Sequence, residues 1–302
     1  MEVLHGMGRR KKRGAPPLLF IHGSMHGAWC WGEHWLKYFS AAGYECRAIS
    51  LRGAGGTLMP DDHASDAAAS LQDHIRDISA YIKEHMPKGQ HPVIIGHSAG
   101  GAIVVKLLEE GAAGEVGGVA LLCPLAPKKT TPPNVFLHPL LILEVILGMA
   151  FKKAGSWRFL ARDLFFGGKA CSVSEADLER YMRYIRHDSQ KALFSSRPAV
   201  NTKPLQEFPY PPAKRCKVHD VGAGTRKCER SWPASSLNRL VMGAEHDYLV
   251  DEASLGVTAE FMEVPYFVVP GAGHDIMLGT HDSVWERGAD KLLRWLEGRG
   301  DA

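Results

Sequence analysis

Hydrophobic positions in this chain follow two periods that take turns. Pro17 to Gly23 (PLLFIHG) is a continuous apolar run closed by glycine, the pattern of a strand buried on both faces. Trp31 to Ala42 then reads as a helix, and Tyr44 to Leu51 (YECRAISL) as the next strand. Leu71, Ile75, Ile78, Ile82 and Met86 fall at helical spacing. Pro92 to His97 (PVIIGH) predicts another buried strand, Ala102 to Glu110 a helix, and Val116 to Cys123 (VGGVALLC) a strand. Strands alternating with helices predict an α/β fold with a mostly parallel sheet and crossover helices.

The alternation stops near Pro124. Up to about Pro233 the sequence is helical and irregular, rich in Pro, Phe, Arg and Lys. It resumes with a strand at Leu237 to Gly243 (LNRLVMG), a helix after Asp251, a strand at Tyr266 to Pro270 (YFVVP) and a last helix from Ser283 to Leu296. The expected organisation is a basic tail over 1–16, a first core part over 17–125, an inserted helical cap over 126–235 and a second core part over 236–302. A cap over the carboxyl ends of the strands would close a site and shape its pocket.

Composition narrows the classes. With 45% hydrophobic and 23% charged residues, the chain is an ordinary globular one rather than a disordered one. A net charge of +3 is too small to imply nucleic-acid binding. The run RRKKR at Arg9 to Arg13 reads as a solvated tail, and it leaves a peripheral membrane contact open. No long apolar run precedes a cleavage site, so secretion is not expected; a soluble intracellular location, cytoplasmic or plastid, is. The apolar segment PLLILEVILGMAF (139–151) has 13 residues and contains Glu144, too short for a span of about 20. Six scattered cysteines do not make a disulfide framework, and Cys46 and Cys123 read as buried thiols. Cys216, His219 and Cys228 match no common zinc spacing, so no metal is expected there.

The chemistry concentrates at strand ends. Gly96-His97-Ser98-Ala99-Gly100 matches G-x-S-x-G where a buried strand meets a helix. That turn is sharp, and it would lift the Ser98 hydroxyl clear of the sheet. A serine hydroxyl needs a base. His274, in the loop Gly271-Ala272-Gly273-His274-Asp275 after the strand YFVVP, stands where ligands meet an open α/β sheet. The imidazole needs an acid to hold its tautomer. Asp247 in the loop after LNRLVMG is the choice, with Glu245 and Asp251 as close competitors; Asp275 reads as a loop hydrogen-bonder. The oxyanion donors expected are the N–H of Ala99 and that of Ser24, with Met25 second. His26, His97 and Tyr248 are candidate substrate contacts.

These motifs (IHGSMHGAWCW, SLRGAGG, GHSAGG, GAEHD and GAGHD, in order) resemble the α/β-hydrolase superfamily over about residues 17–125 and 236–298. HGSMHGAWCW in particular resembles the plant methylesterase and hydroxynitrile lyase group. The resemblance implies a cofactor-free serine hydrolase cleaving a carboxylic ester, an apolar or acyl-lipid-like one if the cap's apolar stretch lines the pocket, through an acyl-enzyme. Its partner would be a small-molecule ester; oligomeric state is left open. It also implies alternatives: a receptor that keeps a slow triad, or a lyase. Hydroxynitrile lyases of the group carry lysine just after the base histidine, where this chain has Asp275. The short N-terminal segment implies that the fold's first antiparallel strands are reduced or absent. The stretch Lys214–Trp232 has no counterpart in that pattern and reads as an exposed basic loop.

Overall fold

The computed structural model describes residues 1–6, 8, 11–57, 69–87, 89–111, 116–126, 161–170, 172–190, 217–220, 226–229 and 237–298. The apolar segment 139–151, most of the inserted cap, and Cys171 and Cys216 lie outside the described residues.

The described core is one seven-stranded sheet in the order β1-β3-β2-β4-β5-β8-β9. Its strands are β1 (Val3–Gly6), β2 (Leu18–Ile21), β3 (Cys46–Ile49), β4 (Val93–His97), β5 (Gly118–Leu122), β8 (Asn238–Ala244) and β9 (Tyr266–Val269). All neighbours are parallel except β1, which runs antiparallel to β3. A separate antiparallel pair, β6 (Lys217–Asp220) with β7 (Arg226–Glu229), lies within the stretch expected to be a basic loop. Its register sets Cys228 opposite Val218 and His219 opposite Lys227.

Strands β2 and β5 carry no polar side chain because both faces of the sheet are covered there. In β2, Leu18 and Phe20 enter one core with Trp31, Trp35 and Phe39. Leu19 and Ile21 enter the other core, with Ile75, Ile78 and Ile103. Side chains of a strand alternate between faces, so four consecutive apolar residues supply two each way. The helices of the described core are α1 (Trp29–Gly32), α2 (Trp35–Ala41), α3 (Leu71–His85), α4 (Ala99–Glu109), α5 (Glu175–Gln190), α6 (Glu252–Met262) and α7 (Val284–Leu296). Helix α3 opens on a capping box, in which the Ser70 hydroxyl accepts from the Asp73 N–H and the Asp73 carboxylate accepts from the Ser70 N–H.

Two expectations change. The helix expected over 31–42 is two helices, broken at Glu33–His34 after Gly32, a poor helix former. The N-terminal segment is not a tail throughout. Residues 3–6 pair with β3, the Glu2 N–H donates to Thr57 Oγ1 at 2.8 Å, and the Glu2 carboxylate accepts from Ser50 and Gly56. Among the described residues, one antiparallel strand, β1, precedes β2. Two residues of the basic run are also engaged: Lys11 pairs with Glu45 at 2.9 Å and Lys12 with Glu297 at 2.6 Å. Among the described residues, no helix is long and apolar enough to cross a membrane.

The chain runs from β2 to β3 on one side, then crosses to β4 on the other side of β2. At such a reversal of strand order, open α/β sheets hold their ligand crevice at the carboxyl ends of the two strands, here β2 and β4.

Candidate active site

Ser98 stands at that crevice, between the last residue of β4 and the first of α4, with φ 52° and ψ −120°. A side-chain-bearing residue at positive φ is strained and persists only where its surroundings hold it. Here the Ser98 N–H donates to the Leu122 carbonyl, and its own carbonyl accepts from Gly101 and Ala102. Close packing explains two glycines. A Cβ at Gly100 would collide with the His22 carbonyl oxygen, and one at Gly23 would lie 2.8 Å from the Ser98 Cβ. The elbow and the loop after β2 thus touch backbone to backbone. The Ala99 N–H is among the first donors of α4, for which a helix has no internal acceptor. Met25 sits at φ 63°, so the loop after β2 also turns through the left-handed region.

On the far side of β5, the loops after β8 and β9 bring Asp247 and His274 together. His274 Nδ1 donates to Asp247 Oδ2 at 2.8 Å, and both side chains are about 1% exposed. The other oxygen, Asp247 Oδ1, accepts from the N–H groups of Leu249 (2.8 Å) and Val250 (2.9 Å). The His246 N–H donates to the Ala272 carbonyl at 2.8 Å, tying the two loops. Burial pushes the His274 imidazole down, but the Asp247 charge and hydrogen bond outweigh it, with Asp275 adding to them, and hold it above its ordinary 6.5. The competitors for the acid have other work. Glu245 accepts from the Gly271 N–H, and Asp251 caps α6 by accepting from Ser254.

A model of the alpha/beta hydrolase family matches residues 18–287, nearly the whole of the sheet just described. The chain belongs to the alpha/beta hydrolase family. Its curated relatives include plant methylesterases, and its likeness to that group is sequence likeness over part of the chain. The pFDCC methylesterase MES16 of Arabidopsis thaliana is 31% identical over 98 residues, 32% of this chain and 35% of that protein. Methylesterase 10 of the same plant is 32% identical over 127 residues, 40% of this chain and 41% of that protein. The matches thus span about a third to two fifths of those relatives. Solved structures share the fold alone. A bromoperoxidase from Bacillus anthracis has TM-score 0.65 at 14% identity, over 98% of this chain and 94% of that one. The 2-hydroxy-6-oxo-6-phenylhexa-2,4-dienoate hydrolase of a Rhodococcus strain has TM-score 0.64 at 15% identity, over 98% and 99%. One alpha/beta hydrolase fold carries both names, so chemistry must be argued from the site.

Within this alpha/beta hydrolase, two expected substrate contacts are placed otherwise. His97 is wholly buried, and its Nε2 lies 3.0 Å from the His274 carbonyl oxygen, to which it donates. Burial, and next the nearby His274, push its pKa down to about 3, so it is neutral. His26 is about 1% exposed with both ring nitrogens engaged. His97 ties the end of β4 to the loop after β9, and His26 ties the loop after β2 to that same loop. Tyr248 is half-buried and lies against Gly168.

Three further residues at the site carried no distinct signal in the pattern. Cys123, just after β5 at φ 43°, is fully buried, and its thiol hydrogen-bonds Asp247. Burial and the Asp247 charge raise its pKa well above 9, so it stays a thiol. Phe165, from the helical turn at 161–166, sets its ring edge-on to His26 with centroids 5.2 Å apart. Trp29 stacks on His26 at 5.4 Å and on Tyr184 at 4.7 Å. Cys123, Asp247 and His274 place donor atoms within 4.8 Å of one another, as do His97, His274 and Asp275. Hydrogen bonds among these groups and with their loops already account for that closeness.

Proposed function

We propose that this alpha/beta hydrolase is a serine esterase, with Ser98 as nucleophile, His274 as general base and Asp247 as the acid that orients it. The observation that carries the reading is the strained Ser98 at the head of α4, on the same sheet edge as a buried His274–Asp247 hydrogen bond. Local strain that the surroundings enforce collects where a group must be presented. The esterase names of the relatives point the same way.

In the reaction, His274 Nε2 takes the Ser98 hydroxyl proton as Oγ attacks the ester carbonyl. The Asp247 carboxylate on Nδ1 stabilises the imidazolium. The oxyanion is received by the Ala99 N–H and by the N–H of Ser24 or Met25. The tetrahedral intermediate collapses, the alcohol leaves with the proton from His274, and an acyl group remains on Ser98. Water activated by His274 then attacks the acyl carbon, and the acid departs with Ser98 restored. The aromatic side chains near the site (Trp29, Phe165 and Tyr184) favour an ester with apolar substituents. A lyase reading finds less support, since the position after the base holds an acid already engaged with His26.

The test is a fluorophosphonate probe followed by intact-mass analysis, with a panel of methyl and p-nitrophenyl esters of increasing acyl length. Wild type should gain one adduct on Ser98 and turn over at least one ester, and Ser98→Ala should lose both. An unlabelled Ser98 with no Ser98-dependent turnover would overturn the esterase reading. Ligand-dependent thermal stabilisation that survives Ser98→Ala, with no turnover, would mark a receptor instead.

A further inference from the structure

Beside the His274–Asp247 pair lies a second buried array that the mechanism above does not use. His26 belongs to the loop after β2, and Asp275 directly follows His274. His26 Nε2 lies 2.8 Å from Asp275 Oδ2, and His26 Nδ1 lies 2.8 Å from the Ser24 carbonyl oxygen. The side chains are 1% and 0% exposed. A carbonyl oxygen only accepts, so Nδ1 must carry a proton. The contact at Nε2 needs a second proton, on the imidazole or on the carboxyl. Ordinary pKa values of about 6.5 and about 3.9 place that proton on the imidazole. Burial pushes the Asp275 carboxyl up, but the facing histidines, His26 foremost, hold it below its ordinary value.

The surroundings fit a cation at His26. Trp29 covers one side of its ring at 5.4 Å with an interplanar angle of 21°, and aromatic faces attract cations. On Asp275, the second oxygen finds no hydrogen-bond donor among the described residues; His97 Nε2 is 3.6 Å away and donates to the His274 carbonyl instead. His97 is neutral and His274 is bonded to Asp247, so the histidine in hydrogen-bond contact with Asp275 is His26. The pair also has an anchor on a third element, since the Asp275 N–H donates to the Phe165 carbonyl at 2.9 Å.

We propose that the buried His26–Asp275 ion pair is a positioning device that locks the oxyanion-hole loop to the loop carrying the base. Each end of the pair grips a peptide next to a working group. His26 holds the Ser24 carbonyl, which fixes the peptide plane whose other side is the Met25 N–H. Asp275 holds the backbone adjoining His274. The donors for the oxyanion and the nitrogen that moves the proton are thereby kept in one frame. Neither residue touches the reacting atoms. The kinetic consequence rests on the esterase reading; the ion pair itself does not.

Two measurements separate the two claims. Histidine-ring ¹⁵N NMR of the full chain at neutral pH, with His26 assigned by its loss in His26→Gln, should show His26 with both ring nitrogens protonated. Asp275→Asn should return it to one N–H. A neutral, singly protonated His26 in wild type would overturn the ion pair, whether or not the chain hydrolyses esters. Kinetically, His26→Gln and Asp275→Asn should each lower kcat about 10²-fold, the loss typical of a misplaced oxyanion donor. The rate is counted per fluorophosphonate-titrated site, and KM should change little. The double variant, an amide pair in place of an ion pair, should be no worse than the poorer single, because the two act as one unit. If Asp275→Asn does not fold, His26→Gln carries the kinetic test, since glutamine keeps a donor toward Asp275. An unchanged kcat per titrated site, with only a lower Tm, would overturn the positioning role and leave a stability role. Absence of Ser98 labelling in wild type would instead be a failure of the esterase reading.

Discussion

Asp247 differs from its neighbours in what its two oxygens accept. One takes two backbone N–H groups of its own loop, the other takes His274 Nδ1, and Cys123 adds its thiol. Such a carboxylate is held in one orientation, as an orienting acid must be. Asp247→Asn should therefore reduce turnover about 10⁴-fold, measured as kcat on the best ester of the panel, through loss of the correct tautomer. Glu245→Gln should leave kcat close to wild type, because its carboxylate serves a loop N–H. The pH profile supplies a second check at the same residue. A base works when deprotonated, and the folded pKa of His274 is raised, so kcat/KM should fall as pH drops through a value above 6.5. In Asp247→Asn burial then dominates, and that limb should move to lower pH. The stability sign follows the same shift: the His274 contribution is complete below 6.5 and is lost as pH rises through the folded value.

Helix α4 begins directly after Ser98, earlier than Ala102, where apolar spacing alone would start it. The reason is that Gly100 and Gly101 carry no side chain to report a period, although they occupy the first turn. Their helical state is enforced by packing, with Gly100 against the His22 carbonyl. Gly100→Ala should push β2 and β4 apart at the crevice. We expect a destabilisation of about 2–3 kcal/mol in urea unfolding, together with loss of fluorophosphonate labelling. Helix α6 offers the contrasting case. Asp251 accepts from the Ser254 N–H as an N-cap, so Asp251→Ala should cost about 1 kcal/mol and spare kcat. That pair of outcomes separates an element that carries the site from one that only supports it.

At the scale of the molecule, strand β1 turns the start of the chain into part of the sheet. Val3 and Leu4 pack against opposite cores, and Glu2 pins the loop after β3 through Ser50 and Gly56. Deleting residues 1–6 would expose the edge of β3, and an unpaired edge invites association. The expected result is a Tm lower by roughly 5 °C in calorimetry, with increased light scattering, while kcat per titrated site is retained. The parallel core and the placement of Ser98 and His274 at strand ends were legible because they depend on short-range patterns; the order of the strands was not, since pairing joins distant segments. Buried strands show as apolar runs, and tight turns show as glycines. The four-residue β1 was hidden beside the basic run, since VLHG (Val3–Gly6) lacks the continuous apolar run that marked the equally short β2. The partnership of His26 with Asp275 joins residues 249 positions apart, and no periodicity in either segment encodes it. What the sequence by itself determined was the hydrolase fold and which side chains stand at its strand ends as candidates for the site. Which of three acids faces the base, and which histidines are locked inward, was decided by tertiary structure, because burial and hydrogen-bond geometry arise only when distant loops share one sheet edge.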